Sequence, residues 1–236
     1  MITLNDINKK QIIFVGDIHG EFATMRFKLE TAGVQDAYII QVGDFGMGFH
    51  KPGFYAQALE RLNDFLLESN NHLYAIRGNH DDPDYFRTTN NPFNLSNITL
   101  LADYTELILL DKKMLFVGGA FSVDRCYRVL NKSYWADEPF VLREDFPFGK
   151  YDCVVTHARP AQSGLFSTTH KIRDWLDKDL ELERDLQAEA ELLSKLYELT
   201  KPPAWIFGHY HQGCVNITPD TKFRCLDILE LYPFIK

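Results

Sequence analysis

No stretch of the 236 residues approaches the ~18–20 consecutive apolar residues that span a bilayer. The N-terminus, MITLNDINKKQIIFVGD, holds only a short apolar run ending in Asp17, where a secretory leader would hold a longer one and then a small-residue cleavage site. The expectation is a soluble protein of the cytoplasm with no membrane partner. Positive charge is scarce too: 25 Lys and Arg against 33 Asp and Glu give a net charge of -8. Long DNA or RNA rewards clustered Lys and Arg, so this balance speaks against a long nucleic acid as partner. It leaves room for a local basic pocket, or for a metal site that brings its own positive charge. The four cysteines, Cys126, Cys153, Cys214 and Cys225, form no CxxC pair. That spacing excludes a zinc finger and leaves buried or indifferent thiols as the expectation. Low-complexity segments, blocks of like charge and Gly/Pro/Ser-rich linkers are also missing, so one domain over residues 1–236 is expected.

What is present is a repeated motif. Short apolar runs end abruptly in polar clusters: QIIFVGDIHG (11–20), AYIIQVGDFG (37–46), HLYAIRGNHD (72–81), YDCVVTHARP (151–160) and AWIFGHYHQ (204–212). Runs of this length, rich in Val and Ile, read as strands buried on both faces. Between the first three lie helical patterns, over 21–33 and over 54–69, the latter with Ala58, Leu62, Phe65 and Leu66 on one face. Strand–helix–strand alternation predicts a largely parallel sheet. Residues 105–123 read as a hairpin around Asp111–Lys113, residues 176–199 as one long amphipathic helix packed on the core, and residues 223–234 as a further strand. The fold class is α/β: two sheets packed together with helices outside.

Each of the five runs carries Asp, His or Asn at its carboxyl end, where open α/β folds bind ligands. The set is Asp17 and His19, Asp44, Asn79 and His80, His157, then His209 and His211. A single Gly-Asp after a strand is more often a turn, and a lone His more often a surface residue. The joint occurrence is different, because five of the eight histidines fall in these clusters. Oxygen and imidazole donors together suit Mn, Fe, Zn or Ni better than Ca or Mg alone. There are too many of them for one tetrahedral zinc, and two metals sharing a carboxylate is the economical arrangement. Such a pair can clamp a phosphoryl group and yield a bridging hydroxide nucleophile near neutral pH.

These residues, in this order, resemble the calcineurin-like metallophosphoesterase superfamily, whose pattern is DxH, GD, GNH followed by an acid, a lone His, and GHxH. The match runs from residue 16 to residue 211. The resemblance implies a β-sandwich flanked by helices (α/β/β/α) and two divalent metal ions, manganese first, with iron, zinc or nickel as alternatives. It implies that Asp17, His19 and His211 bind one metal, that Asn79, His157 and His209 bind the other, and that Asp44 bridges them. His80 would face the substrate, protonating the leaving oxygen or stabilising its charge. The implied reaction is in-line hydrolysis of a phosphomonoester or phosphodiester.

The second motif departs from that of the Ser/Thr protein phosphatases, which extend it to GDxxDRG; here Met47 and Gly48 take the places of the Asp and Arg. A small phosphorylated molecule, a nucleotide or phosphometabolite, is therefore the expected substrate. A phosphoprotein phosphatase, a nuclease or a binding scaffold without catalysis are the alternatives. Asp81 or Asp82 is the expected support for His80. Within residues 118–138, Arg125 and Arg128 are candidate phosphate contacts, and Tyr134 and Trp135 could stack on a base or cover the pocket. Arg159 is a further candidate contact. His50, His72 and His170 match no motif and are expected at the surface.

Overall fold

The computed structural model describes residues 2–3, 9–48, 50–87, 93, 95–164 and 169–234. Each of the five apolar runs forms a strand: β2 (Gln11–Val15), β3 (Ala37–Gln41), β4 (His72–Ala75), β8 (Cys153–Thr156) and β9 (Ala204–Phe207). They fall into two sheets. The five-stranded sheet runs β12 (Leu231–Pro233), β2, β3, β4, β5 (Ile98–Leu100), all parallel except β12 against β2. The seven-stranded sheet runs β1 (Ile2–Thr3), β6 (Thr105–Leu109), β7 (Lys112–Val117), β8, β9, β11 (Lys222–Cys225), β10 (Cys214–Ile217). In it β6–β7 and β10–β11 pair antiparallel and the other neighbours pair parallel.

Period-2 alternation explains why these runs are apolar throughout. On β2, Ile12 and Phe14 join Ile40, Tyr74, Phe116 and Val155 between the sheets. Ile13 and Val15 point the other way, onto helices α1 (Phe22–Thr31) and α2 (Pro52–Glu68). The seven-stranded sheet does the same: Leu115, Val154, Trp205 and Phe223 pack under helix α4 (Leu182–Thr200) through Leu193, Leu196 and Tyr197. The result is the expected four layers, helix, sheet, sheet, helix. Among the described residues, no helix is long and apolar enough to cross a membrane.

Three expectations are corrected. The helix expected over 176–199 starts later, as α4 from Leu182; a separate helix, α3 (Thr169–Leu176), ends where it was expected to begin, and Leu180 between them is 90% exposed. The break is held from outside: Asp179 and Asp185 are ion-paired to Arg125 at 2.5 and 2.8 Å. The single strand over 223–234 is β11 and β12, which lie in different sheets. His72 is largely buried on β4, its Nε2 is 2.9 Å from Thr99 Oγ1, and burial lowers its pKa to about 4. His50 is exposed as expected, and the side chain of His170 lies outside the described residues.

Candidate metal centre

The polar clusters converge because parallel strands point their carboxyl ends the same way. Asp17 follows β2, Asp44 follows β3, Asn79 follows β4, His157 follows β8 and His209 follows β9. The turns are tight. His19, Asp44, His209 and His211 all have positive φ, between 47° and 67°. L-residues avoid that region, and strain of this kind collects where the surroundings over-determine the backbone. At Gly78 a Cβ would stand 2.1 Å from Asp44 Oδ1 and 2.7 Å from His157 Nε2. Only glycine lets that turn come so close.

Two donor groups share one carboxylate. One oxygen each from Asp17 and Asp44 and one nitrogen each from His19 and His211 all lie within 4.8 Å of one another. His19 Nε2 and His211 Nε2 are 3.2 Å apart, and His211 Nε2 is 3.1 Å from Asp17 Oδ2. Two bare imidazole lone pairs repel at that distance, so the geometry calls for a proton or a cation between them. In the second group, His157 Nε2 is 3.2 Å from both Asp44 Oδ1 and Asn79 Oδ1. Val42 C=O accepts from His157 Nδ1 at 2.9 Å, which leaves Nε2 aimed at the two oxygens. The His209 ring stands 5.0 Å from that of His157, centroid to centroid, and its backbone N–H donates to the Asp17 carboxylate. Asp44 thus turns Oδ1 to the His157 group and Oδ2 to His19, at 3.8 Å.

The electrostatics suit cations. Burial opposes ionisation of Asp44, yet the imidazoles of His157, His80 and His19 hold its carboxyl well below the usual range. Burial likewise opposes a proton on His157, and the carboxylates of Asp44 and Asp17 overcome it, raising the pKa to about 10. His209 goes the other way: burial and then His157 keep it neutral. Carboxylate, amide oxygen and imidazole converging on one slot have the donor chemistry of a divalent-metal site. The Asp17, His19, Asp44 and His211 group therefore fits a divalent metal ion, and the oxygen and imidazole donors of Asp44, Asn79 and His157 stand beside it.

His80 stands beside this centre, its ring 4.9 Å from that of His19. Burial lowers its pKa to about 4. Neither expected support holds its ring. Asp81 is wholly buried and accepts four backbone N–H groups, from Phe45, Gly46, Met47 and Gly78, at 2.6 to 3.0 Å. It therefore clamps the loops after β3 and β4 together. Asp82 caps the Asp84 N–H. The His80 ring is met by Arg128, whose guanidinium donates to Nε2 at 2.5 Å while pairing with Asp124 at 2.7 Å.

Gly48 shows why the DRG extension is absent. Its φ is 107°, and a Cβ there would stand 2.7 Å from Asp82 Cβ and 2.9 Å from the Trp135 ring. No arginine fits. Of the three candidate phosphate contacts, Arg128 lines the cavity over the centre. Arg125 does not; it is bound to Asp179 and Asp185. Arg159 lies on the ring of Tyr210, 5.5 Å from its centroid. Trp135 is buried, and the tryptophan that lines the cavity is Trp175 of α3.

Behind Asn79 stand two residues that no sequence pattern marks. Asn79 Nδ2 donates to Ser122 Oγ at 3.1 Å, and the Ser122 N–H donates to the buried Glu138 at 2.7 Å. Neither residue has a local signature. Asp81 did have one, as the acid that closes GNHD.

A sequence profile of the family described as calcineurin-like phosphoesterase matches residues 10–213. No curated protein matches the chain. Among solved structures, that of TT1561 of Thermus thermophilus aligns over 96% of this chain and 98% of its own, at 13% identity and a TM-score of 0.55. At that identity the likeness concerns the fold alone. A structure described as a novel archaeal phosphodiesterase aligns over 95% of this chain and 99% of its own, at 10% identity and a TM-score of 0.42.

Proposed function

The chain belongs to the calcineurin-like phosphoesterase family, and from that premise we propose that it hydrolyses a small phosphorylated substrate at a centre of two divalent metal ions, manganese first. The observation that carries this reading is the divided Asp44 carboxylate, with one oxygen toward the His157 group and the other toward His19. Asp17, His19 and His211 would hold one ion, Asn79, His157 and His209 the other, and Asp44 both. When bound, the ions supply Lewis acidity and an activated water.

The rest is done by the chain itself. The Asp44 carboxylate accepts the His80 N–H at 2.8 Å, which ties the backbone of His80 to the centre. Arg128 only donates, so its bond to Nε2 puts the proton of neutral His80 on Nδ1. In that state His80 serves the leaving oxygen as a hydrogen-bond donor. Arg128, on the cavity wall, adds positive charge where the phosphoryl group would sit. The acidic net charge and the closed position at Gly48 favour a small substrate over a phosphoprotein or a long nucleic acid.

The test is metal removal by chelator and restoration of Mn, Fe, Zn, Ni or Mg one at a time, with an aryl phosphate monoester and the matching diester as substrates. Metal-restored cleavage, lost in Asp44→Asn, supports the reading. Metal-independent cleavage, or cleavage undiminished in Asp44→Asn, overturns it.

A further inference from the structure

The cavity over the centre, about 350 Å³, has two chemically different sides. One is polar, with Asp44, Asn79, His80, Arg128 and the GHYH histidines. The other is apolar and comes from three separate places in the chain: Val123 of the 118–138 segment, Ile172 and Trp175 of α3, and Leu186 of α4. All four are only partly buried. Helix α3 turns Ile172 and Trp175 to the cavity at i, i+3 spacing and leaves Arg173 and Asp174 exposed. The wall lines the same cavity as His80, the residue placed at the leaving oxygen. A separate groove that includes His19 mixes charged residues, Glu21, Arg26 and Arg61, with Phe22 and Phe54.

Inorganic phosphate, a hydrated dianion, gains nothing from an indole and two aliphatic side chains. An apolar leaving group does, because it covers that surface and sheds its own. We propose that Trp175, with Ile172, Leu186 and Val123, forms a subsite for a flat aromatic leaving group, and that the substrate is a phosphoester of an aromatic or aromatic-bearing alcohol. The inference rests on the phosphoesterase reading. In the reaction the ester P–O bond breaks, the oxygen of water joins phosphorus, and one proton of that water ends on the departing alcohol. Trp175 takes no part in the bond changes; it holds the ring so that the ester oxygen faces His80.

The test compares wild type, Trp175→Ala and Trp175→Phe, each loaded with the metal that supports most activity, on naphthyl phosphate and on trifluoroethyl phosphate. Intrinsic reactivity cancels in the ratio of variant to wild type. The expected result is a loss of about tenfold in kcat/KM on the naphthyl ester for Trp175→Ala, mostly in KM, with trifluoroethyl phosphate nearly unaffected and Trp175→Phe close to wild type. Binding of the uncleavable naphthylphosphonate and methylphosphonate, by calorimetry, gives a readout without turnover. Naphthylphosphonate bound more tightly, with the advantage lost in Trp175→Ala, supports the subsite even if no ester is cleaved, and then only the phosphoesterase reading fails. Equal loss on both substrates, no loss on either, or no preference between the phosphonates overturns the subsite.

Discussion

The Arg128 guanidinium donates to His80 Nε2 at 2.5 Å, and its own Nε is held by Asp124 at 2.7 Å. A residue of the 118–138 segment thus orients a side chain of the GNHD loop, across 48 residues of sequence. Arg128 orients His80 as well as lining the cavity, so Arg128→Ala should lower kcat by about 10- to 100-fold, with a smaller change in KM. Arg128→Lys, which keeps a cationic donor without the planar fork, should recover part of the loss. Steady-state kinetics on an aryl phosphate, with and without added guanidinium ion, check this. Rescue of the alanine variant by guanidinium is expected, and a pure KM effect would instead make Arg128 a simple phosphate contact.

Metal content is the second prediction. Asp44 faces both donor groups, whereas His157 faces only one. Asp44→Asn should therefore lose most of both ions after desalting, and His157→Ala about one ion per chain, with the first group intact. Elemental analysis of the purified variants measures this. Equal depletion by the two substitutions would contradict the assignment of separate groups.

The third concerns Asp81. Its oxygens each serve two backbone N–H groups: Gly46 and Met47 on Oδ1, Phe45 and Gly78 on Oδ2. Asp81→Asn must turn an NH2 toward one of those pairs and leave two buried donors unsatisfied. The cost is about 3 kcal/mol or more, which for a chain of this size lowers Tm by about 10 °C. Thermal unfolding followed by circular dichroism reads it directly.

The strands and the metal-ligand candidates were legible in the sequence for one reason. A strand buried on both faces must be apolar throughout, so Asp17, Asp44, Asn79, His157 and His209 stand out at the ends of β2, β3, β4, β8 and β9. What was not legible depends on long-range contacts. The amphipathic pattern runs unbroken through 176–199, and the break at Leu180 is held by Arg125, 54 residues before Asp179. The sheet change between β11 and β12 follows from pairing partners, β9 for one and β2 for the other, that no local pattern names. The same holds for the choice between Trp135 and Trp175. The first lies in the segment whose arginines drew attention, yet it is buried beside Gly48; the second is carried to the cavity by a helix whose start the spacing did not reveal.

Stability should depend on pH through Glu189. This residue of α4 is buried, its Oε1 accepts the Phe140 N–H at 3.4 Å, and burial pushes its pKa up to about 7. The folded chain therefore binds this proton more tightly than the unfolded chain does. The contribution is present in full below the unfolded value and is lost as pH rises through about 7. Glu189→Gln removes the cost of the buried charge. It should stabilise the protein by an amount on the order of a few kcal/mol at about pH 8 and change little at about pH 5. Urea unfolding of both proteins at the two pH values is the check, and a variant effect independent of pH would show that Glu189 stays ionised throughout.

Arg125 links the ion pairs to the apolar wall. Its Nε is 2.5 Å from Asp179 Oδ2 and its NH2 is 2.8 Å from Asp185, and these two residues bracket the turn between Trp175 and Leu186. The arginine is 14% exposed, so the pairs are screened less than surface pairs are. Arg125→Ala removes the cation that joins Asp179 to Asp185 and leaves Asp185 with only the exposed Arg184, which should loosen α3 and the start of α4 from the cavity. The loss in kcat/KM should then follow the pattern of Trp175→Ala, several-fold on a naphthyl ester and small on trifluoroethyl phosphate. In the double variant the two losses should be less than additive, because both act on the same wall. Arg125→Ala with Asp179→Asn and Asp185→Asn also removes the two carboxylate charges and should recover much of the loss. A uniform fall on both esters, unrelieved by the asparagines, would instead place Arg125 at the phosphoryl group.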